Sequence, residues 1–448
     1  MKLASIVLAA GKGTRMKSKQ PKVLHPVCGR PMIYYALKSA QASNPEITVV
    51  VIGHGADAVK DYLGTSVQYA IQEEQLGTGH AVLSASYEIP KDVTHVLVTN
   101  GDMPLLTEET LRQLVVTQKN NNGPLSLLTM ISEDSFGFGR IVRGEDDSVI
   151  AIVEEIQCTP EQLNIKELNV GTYCFDANWL WEVLPRLPLS PKGEYYLTDV
   201  VGIAVAAGYK VAALTMKDNR EALGINTRIH LAEAEAVMQR RIIERHMLNG
   251  VTIINPACTY IEDSVTIGMD TTLQPNTFLR GETSIGENCV IGPNSIISDC
   301  KVGNDCIILA AVMEKAIVED GVDMGPFARL RKGAHLGPGV HMGNFGEVKD
   351  SYLGEGTKMG HFSYIGNATI GKHVNIGAGT ITCNYDGEKK YPTIIGDRVF
   401  IGSDTMLVAP LTIEEEARTG AGAVVIHDVP AGEIVVGVPA KPIRKKNK

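Results

Sequence analysis

The 448-residue chain carries 42 Lys+Arg against 51 Asp+Glu, a formal net charge of −9, with 44 % hydrophobic and 21 % charged residues. That balance excludes a general nucleic-acid binder, which needs a basic face, and leaves apolar material for two or three folded domains. A few well-placed cations can still command a cleft for an anionic substrate. Eight cysteines without any Cys-x-x-Cys pair read as reduced thiols of a cytoplasmic protein rather than zinc ligands. No segment is long and apolar enough for a membrane span. The run Met1–Ala10 has no signal cleavage pattern and passes directly into a motif.

Residues 1–226 alternate strand-like and helix-like segments. Ser5–Ala9, Thr48–Ile52 and His95–Thr99 are short, continuous and β-branched, as buried strands are. Ile33–Ala40, Ala56–Leu63 and Thr78–Ser86 suit helices packed on them, which predicts a mostly parallel, Rossmann-like α/β sheet. Ligands on such sheets sit beyond the carboxyl ends of the strands, so the loops after Ala9, Ile52 and Thr99 are the places to look for chemistry. Residues 227–250 form a helical linker: Thr227–Leu248 lacks Gly and Pro, and Asn249-Gly250 stops it.

From Val251 to Lys448 the period changes. Aliphatic-Gly pairs recur, with Gly286 and Gly292, Gly337 and Gly343, and Gly354, Gly360 and Gly366 each six residues apart. A six-residue repeat predicts a parallel β-helix, each short strand sending one aliphatic side chain to the axis. The stretch Asn384–Tyr391 breaks the period, and irregular excursions from a regular coil are functional candidates.

The first chemical motif, Leu8-Ala9-Ala10-Gly11-Lys12-Gly13-Thr14-Arg15-Met16, follows the first strand. Its glycines let backbone N–H groups approach a polyphosphate, and Arg15 adds a fixed charge. It lacks the Gly-Lys-Ser/Thr ending of a P-loop and the third Gly of a dinucleotide fingerprint. Pro21-Lys22 follows closely, and Asn100-Gly101-Asp102 closes a later strand. Taken alone, Asp102 is equally readable as a cap for the helix beginning near Thr107.

With Gln72-Glu73-Glu74-Gln75-Leu76-Gly77-Thr78-Gly79-His80-Ala81, these motifs resemble the sugar-nucleotidyltransferases, and among them uridylyltransferases of N-acetylglucosamine 1-phosphate. The resemblance implies that Leu8, Ala9, Ala10, Gly11 and Arg15 hold the UTP phosphates beside Asn100 and Gly101. It implies further that Lys22 neutralises charge at the reacting phosphorus, and that Gln72, Gly77 and Thr78 read uracil. Gly139, Glu154 and Asn169 are implied to hold the sugar, and Asp102 and Asn226 to bind Mg²⁺ through oxygen, as that cation prefers.

In the second half, Phe327–Arg331, Gly343–Lys349, Gly360–Gly366, Asn375–Thr380 and Thr382–Gly387 together resemble the acetyltransferase half of the bifunctional GlmU family, so the resemblance covers nearly the whole chain. It implies a left-handed β-helix in which His361 is the general base for the amine of glucosamine 1-phosphate, oriented by Glu347. An imidazole suits that task near neutral pH. Arg331, Lys349 and Lys390 are implied to meet the sugar phosphate, with Tyr364 and Asn375 adding hydrogen bonds. Asn384 and Tyr385 are implied to face substrate and acetyl group, and Ala378, Ser403 and Ala421 to line the acetyl-CoA groove. One departure stands out: Gly437 occupies the place of an Arg that helps the family bind CoA, leaving Lys441 or Arg444 as substitutes. A homotrimer assembled through the β-helix is expected, because one coil offers only part of a wall around a long CoA arm. Two other readings stay open at this stage: a pyrophosphorylase whose coil is only an assembly module, and a non-enzymatic subunit built from the same two folds.

Overall fold

The computed structural model describes residues 1–135 and 137–445, and for Arg444 and Lys445 the backbone only. The chain divides into two compact units, residues 1–238 and 239–448. The long helix Arg228–Leu248 falls within the helical segment expected at 227–250 and runs through this division.

In the first unit the apolar runs become β1 (Leu3–Leu8), α1 (Met32–Gln41), β2 (Ile47–Ile52), α2 (Ala56–Leu63), β3 (Gln68–Ile71), α3 (Thr78–Ser84), β4 (His95–Asn100) and α4 (Glu108–Asn120). Then come β5 (Leu125–Ile131), β6 (Arg140–Arg143), β7 (Val149–Val153), β8 (Glu167–Asp176), α5 (Ala177–Val183), α6 (Asp199–Ala206), β9 (Ala212–Thr215) and α7 (Arg228–Leu248). The sheet order is β9-β5-β8-β4-β1-β2-β3, with β6 paired to β8 and β7. The strands β4, β1, β2 and β3 are parallel, as the sequence predicts. Strand β8 is not: it lies antiparallel between β4 and β5, so the sheet is mixed. The central strands are buried on both faces, Ile6 and Val98 packing in one cluster and Val7 and Leu97 in the other.

In the second unit strands of two to five residues fall in turn on three sheets of 12, 10 and 9 strands, parallel throughout except for a closing hairpin. This is a three-faced parallel β-helix. Its axis is built by stacking: Leu273, Ile291, Ile308, Met324, Met342 and Met359 are successive register partners on one face. All six are 0 % exposed. Glycine ends the hexads because the coils touch there; a Cβ on Gly354 would stand 2.6 Å from the carbonyl carbon of Gly371 in the next coil. At one corner Phe327, Phe345 and Phe362 stack with ring centroids 5.4 and 5.0 Å apart, though each ring is exposed. All eight cysteines are free thiols.

Each inward side chain therefore carries far more stability than its outward neighbour. Ile308→Ala should destabilise the second unit by about 2–5 kcal/mol. Ile307→Ala, at a position 43 % exposed, should cost less than about 1 kcal/mol. Urea denaturation of both variants checks this, and equal costs would contradict the inward–outward assignment.

Candidate functional sites

In the first unit a cleft of about 860 Å³ opens where strands end. Its wall includes Leu8, Ala9, Ala10 and Gly11 after β1, Gln72, Gly77 and Thr78 after β3, Asn100 and Asp102 after β4, and Lys22 and Glu154. The cleft thus lies at the carboxyl edge of the sheet, where folds of this kind hold their ligands. The loop after β2 contributes none of these wall residues; the loop after β3 takes that place.

Lys22 is the hub. Its ammonium pairs with the Asp102 carboxylate and donates to Asn226 Oδ1 at 3.1 Å. Arg15 donates to the same Asn226 oxygen at 3.0 Å. Two oxygens from distant loops thus converge on one cationic nitrogen, a donor set that fits a hard divalent cation whose remaining ligands are water and phosphate. Asp102 does not cap α4. Thr107 does, its Oγ1 accepting from the Thr110 N–H at 3.2 Å.

Gln72 is buried, and its Nε2 donates to the Gly77 carbonyl at 3.0 Å and lies 3.2 Å from His80 Nδ1. The Gly77 carbonyl fixes which end of the amide is which, so Oε1 is the end left for a ligand. Glu154 accepts from Thr198 Oγ1 at 2.9 Å. Gly101 ties β4 to β1 by donating its N–H to the Leu8 carbonyl at 2.9 Å. Two expected sugar contacts stand behind the wall rather than on it. Asn169 is 6 % exposed, its amide spent on Tyr173 Oη at 2.8 Å and the Gly171 N–H at 3.1 Å. The Gly139 carbonyl accepts the Asn169 N–H at 2.8 Å.

The cleft also recruits residues the sequence reading did not single out: Gln75, Lys192, Glu194 and Tyr196. The last three lie on a segment bound to the Leu76–Thr78 turn, through Tyr195 N–H to the Leu76 carbonyl at 2.7 Å and Leu197 N–H to Thr78 Oγ1 at 3.0 Å. Only the charged Pro191-Lys192-Gly193-Glu194 turn hints at this in the sequence.

In the second unit His361 ends the strand Lys358–His361, and its side chain is exposed. Its expected partner is corrected. Glu347 pairs instead with Arg331 at 3.0 Å, and His361 Nδ1 meets Asn344 Oδ1 at 2.8 Å. The reason is register: Asn344 and His361 are direct neighbours on one sheet, whereas Glu347 belongs to the next sheet and stacks on Tyr364. With Nδ1–H donating to Asn344, Nε2 keeps its lone pair, the state a general base needs.

Arg331 and Lys349 occupy corresponding places on adjacent coils, the Arg331 N–H donating to the Val348 carbonyl at 2.9 Å. The excursion folds back through a Tyr385–Lys390 bridge and brings Lys390 to Lys349. A side-chain hydrogen bond with Lys390, then the Lys390 and Arg331 charges, pull the Lys349 ammonium below its ordinary range. Such a concentration of cations suits a phosphate. Tyr364 Oη and Asn384 Nδ2 converge over Gly366, 2.5 and 2.9 Å from where a Cβ would stand. Asn384 is buried and donates to Asn367 Oδ1 at 2.7 Å. Asn375 stacks between Lys358 and Phe400 on the His361 sheet.

Ala378, Ser403 and Ala421 hold equivalent places on three successive coils. Asp404 N–H reaches the Ala378 carbonyl at 2.6 Å, and Gly422 N–H reaches that of Ser403 at 2.8 Å. Together they make a shallow column of small side chains. Gly437 turns the closing hairpin with φ 92°, a conformation that strains any residue with a Cβ. An Arg is therefore disfavoured there. Lys441 begins the final strand, and its side chain is exposed. Arg444, the other expected substitute, is described in its backbone only, and residues 446–448 lie outside the described residues.

The Asn344 contact predicts a tautomer. Nitrogen-15 NMR of labelled histidine should show the neutral form of the His361 ring carrying its proton on Nδ1, shifting toward Nε2–H in Asn344→Ala. A wild-type Nε2–H tautomer would contradict the contact.

Comparison with known proteins agrees with both halves. Residues 5–130 match the MobA-like NTP transferase domain, and residues 282–312 and 392–426 match the hexapeptide repeat of succinyl-transferase. Bifunctional protein GlmU of Streptococcus agalactiae serotype V is 47 % identical over 434 residues, covering 97 % of this chain and 95 % of that one. GlmU of Heliobacterium modesticaldum is 48 % identical over 436 residues, with the same coverage. GlmU of Enterococcus faecalis is 46 % identical over 433 residues, covering 96 % of this chain and 94 % of that one. A nucleotidyltransferase-type cleft and a hexapeptide β-helix, joined in one chain and matched end to end at this identity, place the protein in the GlmU family of bifunctional transferases.

Proposed function

We propose that the two units carry out consecutive steps: acetyl-CoA-dependent N-acetylation of glucosamine 1-phosphate in the second, then uridylyl transfer from UTP to N-acetylglucosamine 1-phosphate in the first. The observation that carries this reading is the convergence of Asp102 and Asn226 oxygens on Lys22 at the mouth of the cleft.

For uridylyl transfer, a phosphate oxygen of the sugar phosphate attacks the α-phosphorus of UTP, and pyrophosphate leaves. The nucleophile is already anionic, so no general base is needed, and catalysis reduces to positioning and charge neutralisation. The Leu8–Gly11 segment and the side chains of Arg15 and Lys22 meet the phosphates. Gln72 Oε1 accepts from the uracil N3–H, and Glu154 stands at the sugar. Mg²⁺ held by Asp102 and Asn226 would supply further neutralisation of phosphate charge.

For acetyl transfer, His361 Nε2 takes a proton from the amine as its nitrogen attacks the thioester carbonyl, and CoA leaves as the thiol. Arg331, Lys349 and Lys390 hold the phosphate, Tyr364, Asn375 and Asn384 orient the sugar, and Tyr385 faces the acetyl group. The column Ala378–Ser403–Ala421 lets the pantetheine arm lie close to the coil.

A homotrimer completes this site. On the ten-stranded face, Tyr260, Phe278, Ile296 and Val312 form an outward apolar column, Arg329, Glu347 and Tyr364 a polar band, and Ile381, Met406 and Val424 a second apolar stretch. Apolar surface flanking a polar site suits a second copy of the chain, and cyclic symmetry gives every copy the same surroundings. No helix among the described residues is long and apolar enough to cross a membrane, and a cytoplasmic location, where UTP and acetyl-CoA are supplied, belongs to the same proposal.

The two activities should separate by substitution. Asp102→Ala should abolish pyrophosphate release yet leave acetylation near wild type. His361→Ala should slow acetylation by roughly a hundredfold or more and leave uridylyl transfer intact. Loss of both activities in either folded variant would overturn the two-site reading. Light scattering on the full chain should give three times 48.3 kDa, and a fully acetylating monomer would contradict the trimer.

A further inference from the structure

The two oxygens that meet at Lys22 come from loops 124 residues apart in sequence. Asp102 lies just beyond β4, and Asn226 closes the segment before α7. Two ties join these loops. The Ile225 N–H donates to the Asp102 carbonyl at 3.0 Å. Five residues before Asn226, Glu221 Oε2 accepts from both the Thr107 N–H and Thr107 Oγ1, each at 2.9 Å.

The Glu221 carboxylate is an expensive way to join two loops. It is only 8 % exposed, and its neighbour Arg220 turns away to grip Asp218 at 2.8 and 3.0 Å. A carboxylate withdrawn from water is costly unless something answers its charge. Here that is the first turn of α4: Thr107 is the N-cap, and the free N–H groups and dipole of a helix start favour an anion. The carboxylate thus locks the α4 start, and the Asp102–Leu106 loop leading into it, to the turn Asn219–Ala222 leading to Asn226. An apolar pair would fill the same space at lower cost but would not fix direction.

We infer that Glu221 is a positioning residue for the metal pair. By holding the two loops at one separation it sets the Asp102–Asn226 gap, and with it the affinity for the divalent cation. This rests on the reading of Asp102 and Asn226 as cation ligands, and it adds a residue that touches neither metal nor substrate.

The test uses the full-length chain, stripped of metal, as wild type, Glu221→Ala and Glu221→Gln. Direct Mn²⁺ binding is followed by electron paramagnetic resonance, beside the Mg²⁺ dependence of uridylyl transfer. Glu221→Ala should weaken Mn²⁺ binding and raise the half-saturating Mg²⁺ by about tenfold or more, with kcat at saturating metal within roughly threefold of wild type. Glu221→Gln, which keeps a neutral acceptor, should fall between the two. Acetylation should be unchanged in both. Wild-type Mn²⁺ affinity in Glu221→Ala, with only a lower melting temperature or kcat, would assign Glu221 to stability and overturn the inference. If Glu221→Ala does not fold, wild-type affinity in Glu221→Gln overturns it equally. Asp102→Ala binding Mn²⁺ as tightly as wild type would instead sink the ligand assignment, independently of Glu221.

Discussion

The parallel hydrogen-bond ladder between successive coils is the constraint on which the second half of the molecule depends. Once the inward column is packed, every residue is fixed above its counterpart in the previous coil, and slipping by one position would turn the buried side chains outward. That stacking aligns the candidate residues: Asn344 over His361, Arg331 beside Lys349, and Ala378, Ser403 and Ala421 in line. The stacked rings of Phe327, Phe345 and Phe362 brace the corner where Asn344 and His361 end their strands. The excursion respects the ladder too. Met342 and Met359 pair 17 residues apart, while Ile370 and Ile395 pair 25 apart. The difference of eight residues is the length of Asn384–Tyr391, which leaves at a corner and returns in register.

The first unit solves a different problem, that of gathering like and unlike charges where strands end. Main-chain ties such as Gly101 N–H to the Leu8 carbonyl hold neighbouring loops together, so that Lys22, Asp102 and Asn226 meet without a strand beneath all three. In this arrangement the ammonium of Lys22 occupies the point between the two oxygens. Asp102 and Asn226 would hold a divalent cation at this point, which would supply charge neutralisation and leave the Lys22 ammonium free for the phosphates. The same side chain then stabilises the resting cleft and serves the reaction.

Local signals carried much of this into the sequence. The six-residue period survives because each hexad meets the same steric demand, a small residue where the next coil passes. Helix α2 falls on Ala56–Leu63, the expected segment, because its apolar spacing and flanking glycines act locally. What escaped depends on contacts distant in sequence. Nothing near Glu167–Asp176 says that this strand enters between β4 and β5 in the opposite direction. Glu347 and Asn344 lie three residues apart, and only the turn between them decides which faces His361. Lys192, Glu194 and Tyr196 join the cleft solely because their segment is strapped to the Leu76–Thr78 turn. Gly437 was legible as a missing charge, while its backbone conformation supplies the reason.

The central claim is that one chain performs two steps in a fixed order, since the cleft of the first unit must receive a sugar already acetylated by the second. Phosphorus-31 NMR tests this directly, following the chain with glucosamine 1-phosphate, acetyl-CoA, UTP and Mg²⁺ in one tube. The account predicts that the N-acetylglucosamine 1-phosphate resonance rises first and then decays as the sugar diphosphate and pyrophosphate signals appear. A UDP-glucosamine signal preceding any acetylated sugar phosphate would contradict it.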